Sequence, residues 1–234
     1  MDFSFLSNPS YDVLGAFWAN IQLTFWAAIG ALILGTVLAS MRVSPIPLMR
    51  GFSTVYVNIV RNTPLTLIII MMSQVLYTQL GLKLASRGGG AQGAIDFLYN
   101  QNFRLAVVGF ILYTSTFVSE AIRSGINTVP AGQAEAARAI GMKFSQVLGI
   151  VVLPQAFRAV IAPLASVLIA LIKNTTVAAA IFSAEAAGLM ATLTEKEADK
   201  FTAIFIVIAA GFVVLTLPIG LLLGRLAHRA TVKR

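Results

Sequence analysis

The stretch TVPAGQAEAARAIGM, residues 128–142, stands between two long apolar blocks and differs from both in composition. Pro130 suits the first turn of a helix, where its missing N–H is not needed. The alanines that follow are strong helix formers. Gly141 can take the backbone conformation that lets the chain turn away after a helix. The stretch therefore predicts a short helix with a sharp end.

This predicted helix has two different faces on a wheel of about 100° per residue. One arc is small and apolar, and it carries Ala136, Ala137, Ile140 and Phe144, with Gly141 at its edge. The opposite side carries Glu135, Arg138 and Met142. Glu135 and Arg138 are three residues apart and can pair. The small face permits close docking to a partner, but a helix lying on a membrane surface has the same periodicity.

The rest of the chain is too apolar for a soluble domain. Of 234 residues, 58% are hydrophobic and 11% are charged, and the mean hydropathy is +0.85. Soluble domains have roughly 45–50% apolar and about 25% charged residues. Lipid is therefore the expected solvent. The blocks are continuous rather than alternating, so they predict five transmembrane helices and no strands. The predicted spans are about 17–41, 64–82, 103–122, 156–181 and 201–223.

Three connections complete the single predicted domain, residues 1–234. A short amphipathic stretch, 51–61, precedes the second span. Residues 83–102 contain three consecutive glycines and predict a flexible outer loop. Residues 124–154 form the longer inner loop that holds the predicted short helix.

The distribution of charge predicts an outer N-terminus and an inner C-terminus. With that orientation, 11 of the 17 basic residues lie inside, as inner loops require: Arg42, Arg50, Arg61, Arg123, Arg138, Lys143, Arg158, Arg225, Arg229, Lys233 and Arg234. Most of the acidic residues lie outside. The net charge of +8 is thus spread in short patches between apolar blocks. Nucleic-acid binders cluster such charge on one face of a polar domain, so membrane lipid rather than nucleic acid is the expected partner.

Several motifs resemble those of the membrane-spanning permeases of ATP-binding-cassette importers. Glu135-Ala136-Ala137, Gly141 and Val151-x-Leu153-Pro154 resemble the EAA loop, with Val151 where isoleucine is usual. Arg61-x-Thr63-Pro64-Leu65 resembles the entry to the second span in the polar amino-acid uptake subfamily. Residues 113–126 are similar to its third-span signature, with Ser124 in place of a glycine. Residues 173–176 resemble the polar break after its fourth span, with Thr176 and Val177 in place of serine and leucine.

The resemblance implies a type I importer permease fold in the bacterial cytoplasmic (inner) membrane, in a chain that is not an enzyme. It implies that Glu135, Ala136, Ala137, Arg138 and Gly141 belong to a coupling helix that docks on a dimeric ATPase. The chain has no G-x4-G-K-[ST] loop, so ATP and Mg are expected on that partner and no cofactor on this chain. A second permease subunit, identical or paralogous, and an extracytoplasmic substrate-binding protein are the other expected partners.

The substrate path is expected among polar residues deep in the apolar blocks, because such residues tend to face a cavity or a neighbouring helix. The candidates are Arg61, Thr63, Gln74, Ser115, Thr116, Ser119, Glu120, Lys173, Asn174, Thr175 and Thr176. Lys173 or Arg61 could meet a carboxylate. Five of the candidates also have a purely structural explanation. Lys173 can extend its ammonium group to the membrane surface, and Arg61 can be one of the positive charges that fix the inner side. Glu120 can pair with Arg123, and Ser115 and Thr116 can form helix–helix hydrogen bonds.

The overall similarity favours glutamate as the substrate, with arginine, histidine or glutamine as the alternative. An ion-coupled carrier would place carboxylates in the membrane and usually carries internal repeats. No internal repeat is visible here. A membrane enzyme would need clustered catalytic side chains, whereas this chain has no Cys and one His. A structural scaffold would not need so specific an inner loop.

Overall fold

A computed structural model describes residues 2–86, 88 and 90–230, and every regular element in that part of the chain is helical. The α-helices are α1 (Val13–Val43), α2 (Pro47–Asn62), α3 (Leu65–Met71), α4 (Gly90–Asn127), α5 (Ala131–Ala139), α6 (Phe144–Gln146), α7 (Leu153–Asn174), α8 (Ala186–Lys196) and α9 (Phe201–Ala230). π-Helical turns extend α3 over Met72–Gln79 and α6 over Val147–Val152, and 3-10 turns cover Ser4–Ser7, Thr175–Ile181 and Ala198–Lys200. Lys233 and Arg234 of the predicted inner set lie outside the described residues.

Four helices in the described chain are long and apolar enough to cross a membrane, and a bent pair of helices brings the number to five. The four are Val13–Val43, Gln92–Asn127, Phe144–Ile181 and Ala198–Ala227. The all-helical fold agrees with the prediction, and the described chain has the five predicted spans when the bent pair supplies one of them.

The second predicted span, 64–82, does not pass that test alone. It passes only as the bent pair Pro47–Asn62 and Leu65–Gln79, which turns through 103°. The break follows from Pro64, because a residue before proline is driven to extended backbone. Thr63 has φ −89° and ψ 133°.

The predicted flexible loop 83–102 is wrong over most of its length, because α4 begins at Gly90. The buried amide of Gln101 explains the order. Its oxygen accepts hydrogen bonds from the Leu84 N–H (2.7 Å) and the Ala85 N–H (3.0 Å), and its nitrogen donates to the Leu82 carbonyl (2.7 Å). One side chain thus satisfies the backbone of the preceding loop and fixes it against the helix.

Small residues bring the spanning helices close together. A Cβ built on Gly35 of α1 would lie 2.6 Å from the Val118 side chain and 2.8 Å from the Ser115 carbonyl of α4. On the other side of α4, Gly125 meets Ala156 and Val160 of α7 in the same way. Such approaches are typical of helix pairs in membranes, where van der Waals contact replaces the hydrophobic effect. The result is a row of helices, α1, α4, α7 and α9, each packed along the next.

The N-terminal segment packs into a hydrophobic core of its own. Phe5 is buried against Leu193, Ala203, Ile204 and Ile208. The first helix starts at Val13, four residues before the predicted span, because the Asp12 carboxylate accepts the Gly15 N–H at 2.8 Å and caps it.

Candidate functional site

The inner loop contains the predicted short helix, α5, at Ala131–Ala139. Its end is a Schellman motif. Gly141 has φ 88°, its N–H donates to the Arg138 carbonyl (2.9 Å), and the Met142 N–H donates to the Ala137 carbonyl (3.1 Å). The predicted role of Gly141 in ending the helix is confirmed at the level of the backbone.

The two predicted faces of α5 can be compared with the exposure and contacts of their side chains. Of the predicted apolar arc only Ala137 is buried, while Ala136, Ile140 and Phe144 are exposed. Of these, only Phe144 comes after Gly141, where the chain reverses and no longer follows the helical wheel. In the described chain Glu135 and Arg138 form no ion pair, and the Arg138 guanidinium lies 5.9 Å from the Phe144 ring centroid instead.

The exposed side of α5 is available to a partner. Ile140 is 80% exposed and Phe144 is 58% exposed. The opposite side packs on the turn Val147–Val152, and the Gln155 amide donates to Gln133 at 2.7 Å. The helix is therefore held at the start of α7, while the side chains of Ile140, Phe144 and Glu135 are exposed.

A cavity of about 360 Å³ lies between α4 and α7. Its lining combines two aromatic rings with hydroxyl and amide groups: Tyr113, Thr114, Phe117, Ser166, Val167, Ala170 and Asn174. The rings of Tyr113 and Phe117 are 5.0 Å apart. The two helices run antiparallel, since Gly125 meets Ala156 at one end and Thr114 shares the cavity with Asn174 at the other. The volume lies in the range of small-molecule sites, which are mostly apolar with a few polar groups, as this lining is.

Of the predicted path residues, the structure places Asn174 in this cavity. Ser115 and Thr116 are buried and follow the cavity residue Thr114 in sequence. Their hydroxyls, however, donate to the Leu112 (2.8 Å) and Tyr113 (2.7 Å) carbonyls of their own helix. Ser119 Oγ is buried and has no hydrogen-bond partner among the described residues. Gln74, Lys173 and Arg61 are exposed, and the half-buried Thr63 and Thr176 bond to carbonyls within their own segments.

Glu120 lies at the meeting point of α1, α2 and α4. The pairing with Arg123 is present, with Arg123 Nη2 at 2.9 Å from Oε2. Arg42 donates to the other carboxylate oxygen, and Arg61 Nη1 is 3.9 Å from the same atom. Three guanidinium groups therefore surround one carboxylate, which sequence spacing did not indicate because Arg42 and Arg61 are distant in the chain.

A buried polar cluster was also missed. The Asn20 amide of α1 donates to Thr175 Oγ1 (2.9 Å) and to Glu185 Oε2 (3.1 Å), and its oxygen accepts the Ala186 N–H (3.0 Å). Glu185 caps α8 by accepting the N–H groups of Ala187 and Gly188. Asn20, Thr175 and Glu185 are each fully buried. Burial raises the pKa of the Glu185 carboxyl above its ordinary value of 4.5.

The cluster gives the predicted polar break after the fourth span a structural basis. Thr175 begins the 3-10 turn that follows α7. Phe182, whose backbone is in the left-handed conformation, ends it. Asn20 is the point where α1, this turn and the start of α8 meet. No signal in the sequence spacing could join Asn20 to Glu185, since 165 residues separate them.

Residues 31–232 match the family model for the binding-protein-dependent transport system inner membrane component. The chain is 54% identical to the glutamate transport system permease protein GluC of Corynebacterium efficiens, over 95% of this chain and 96% of that one. It is 30% identical to the probable glutamine ABC transporter permease protein GlnM of Bacillus subtilis, over 98% of both.

The fold is similar to that of a chain in the crystal structure of an amino acid ABC transporter with histidines. The TM-score is 0.82 at 24% sequence identity, over 98% of this chain and 99% of that one. A chain of the inward-facing MetNI methionine ABC transporter matches with a TM-score of 0.67 at 19% identity, over 99% and 100% of the two chains. At these identities the match speaks for the fold.

Proposed function

We propose, because this chain belongs to the family of binding-protein-dependent transport system inner membrane components, that it forms the membrane path of an ATP-driven importer of glutamate. Membership makes it a multi-pass permease of the inner membrane. The observation that carries the substrate is the similarity to glutamate permeases of two Corynebacterium species, which is much higher than that to the glutamine permease.

The energy for transport comes, in this proposal, from the hydrolysis of ATP, which a separate dimeric ATPase binds together with Mg. The exposed apolar patch at Ile140 and Phe144 gives the ATPase a surface to bind, and the Glu135 carboxylate of α5 is also exposed. The tight turn at Gly141 keeps this patch at a fixed angle to the start of α7. A displacement of α5 would therefore pass to α7, which lines the cavity.

The substrate site we propose is the cavity between α4 and α7. The faces of Tyr113 and Phe117 can attract the ammonium group of an amino acid. The Asn174 amide and the hydroxyls of Thr114 and Ser166 can hydrogen-bond its carboxylates. A second permease subunit and an extracytoplasmic binding protein complete the importer, since one chain leaves the cavity open on one side.

Uptake competition tests the substrate. Cells that express the importer take up labelled glutamate in the presence of excess unlabelled glutamate, arginine, glutamine or histidine. We expect glutamate to compete best. Stronger competition by arginine, glutamine or histidine would overturn the assignment of glutamate and favour the alternative substrate.

A second experiment tests the coupling helix. The double variant Glu135→Lys with Gly141→Asp should lose association with the ATPase and lose uptake, while its amount in the membrane stays unchanged. Unchanged association and uptake would contradict the assignment of α5. Gly132→Ala in the same helix is the matched control, because its Cβ would meet open space.

A further inference from the structure

The ion cluster around Glu120 has more positive than negative charge. Arg42, Arg61 and Arg123 face this one carboxylate, and in the described chain no other acidic side chain pairs with them. The net charge of these four side chains is therefore +2. Such an excess in a half-buried position attracts a further anion.

Two of the three guanidinium groups have donors to spare. Each guanidinium carries five N–H donors, whereas Glu120 offers two oxygen atoms. Arg61 stands 3.9 Å from the carboxylate, beyond hydrogen-bond distance, and its side chain is 43% exposed. Arg123 is 42% exposed. Their planar forks suit the oxygen atoms of a phosphate group.

The position of α2 indicates where that phosphate comes from. The 103° bend between α2 and α3 places α2 close to the membrane plane when α3 enters the membrane along its normal. One face of α2 packs inward, where Ser53 Oγ donates to the Leu38 carbonyl (2.7 Å) and Tyr56 Oη donates to the Leu112 carbonyl (3.1 Å). The helix is thus anchored on α1 and α4.

A neighbouring stripe of α2 is apolar and exposed, with the spacing of one helical face: Leu48, Phe52, Val55 and Ile59. Arg50, Thr54, Asn58 and Arg61 form the polar face. This division is that of a helix at the boundary between hydrocarbon and headgroups. It places the arginine cluster at the level of the lipid phosphates.

We propose that Arg61 and Arg123, supported by Arg42, bind the phosphate of an anionic phospholipid headgroup. Glu120 holds the three guanidinium groups together without neutralising them, and the apolar stripe of α2 keeps the site at headgroup depth. A bound lipid would join the end of α2 to α1 and α4. The site lies outside the substrate cavity and does not depend on which amino acid is transported.

Native mass spectrometry of the purified full-length chain tests the site, with phosphatidylglycerol and phosphatidylcholine of equal acyl chains as probes. We expect preferential retention of phosphatidylglycerol. Arg61→Gln with Arg123→Gln should lower that retention about 25-fold, or about fivefold per arginine. The control Lys143→Gln with Arg158→Gln removes the same charge outside the cluster and outside α2, and should change retention little. Equal losses in the two double variants, or equal retention of the two lipids, would overturn the proposal.

Further arms separate the other sources of the same chemistry. Arg61→Lys with Arg123→Lys keeps the charge and should retain most of the binding, even if the glutamine pair fails to fold; complete loss in the lysine pair would count against phosphate binding by charge. Inorganic phosphate that stabilises the chain as much as phosphatidylglycerol would assign the site to a free anion. Because the chain has no native Cys, high-yield disulfide dimers of Ile59→Cys in membranes would assign the α2 stripe to a second copy. Either result would overturn the lipid assignment.

Discussion

Asn20→Ala removes the side chain that joins α1 to the turn after α7 and to the start of α8. The wild-type amide makes three contacts: it donates to Thr175 Oγ1 and Glu185 Oε2 and accepts from the Ala186 N–H. Thr175 keeps its bond to the Ile172 carbonyl (2.6 Å), and Glu185 keeps its two cap bonds. The variant therefore loses one bond to a carboxylate and leaves one buried N–H without a partner.

The expected loss follows from those two terms. A hydrogen bond to a charged group contributes about 1.5–3 kcal/mol, and an orphaned buried donor costs about 1–3 kcal/mol. Because the neighbouring groups can relax, we expect a total loss of about 3 kcal/mol in the free energy of unfolding. For a chain of this size, each kcal/mol corresponds to about 2–4 °C, so the melting temperature should fall by about 6–12 °C.

The assay is thermal unfolding of the purified chain in one detergent, followed by tryptophan fluorescence. Asn100→Ala is the matched control, because Asn100 is exposed and bonds only to the Asp96 carbonyl of its own helix (2.9 Å). Its loss should stay within about 0.5 kcal/mol. If Asn20→Ala melts within about 2 °C of Asn100→Ala, the buried cluster does not fix these three elements and the reasoning is refuted.

Three further predictions concern single positions. Gly141→Ala should lower uptake, because a Cβ at φ 88° costs about 1–2 kcal/mol and displaces the end of α5; Gly132→Ala should leave uptake unchanged, and equal uptake in both would contradict this. Gly35→Ala should lower stability by about 1–3 kcal/mol in thermal unfolding, because its Cβ would overlap a facing side chain and carbonyl, whereas Gly51→Ala meets open space; equal melting temperatures would disprove the close contact. The raised pKa of Glu185 means that the folded chain holds a proton that the unfolded chain releases, so this carboxyl adds stability below 4.5 that is lost as pH rises through its folded pKa. Glu185→Gln should remove that part of the pH dependence of melting, and an unchanged profile would exclude Glu185 as its source.

The features that local chemistry dictates could be predicted from the sequence. Pro130 and Gly141 determine the start and end of α5, and both are visible in the order of residues. Apolar blocks longer than a bilayer is thick predict spans in any tertiary context. The predicted partner of Glu120 was Arg123, one turn away, and that pair is present.

Features that depend on distant residues could not be predicted. Consecutive glycines at 88–90 are typical of a loop, but α4 begins at Gly90, and Gln101 from inside that helix holds the backbone of Leu82, Leu84 and Ala85. Arg42 and Arg61 reach Glu120 only because α2 folds back against α1 and α4. Phe144 lies beyond the turn at Gly141, so the helical wheel of α5 cannot predict which way its side chain faces.

The 165-residue separation of Asn20 and Glu185 also sets an order of events during synthesis. At roughly 5–20 residues per second, the ribosome completes that interval in about 10–30 s. During this time α1 lacks the native partners of the Asn20 amide, because Thr175, Glu185 and Ala186 are all made late. Only the last third of the chain supplies the carboxylate and the backbone N–H that satisfy it. A nascent chain stopped before Glu185 can already pack α1 on α4, but it lacks the buried contacts that join α1 to the start of α8.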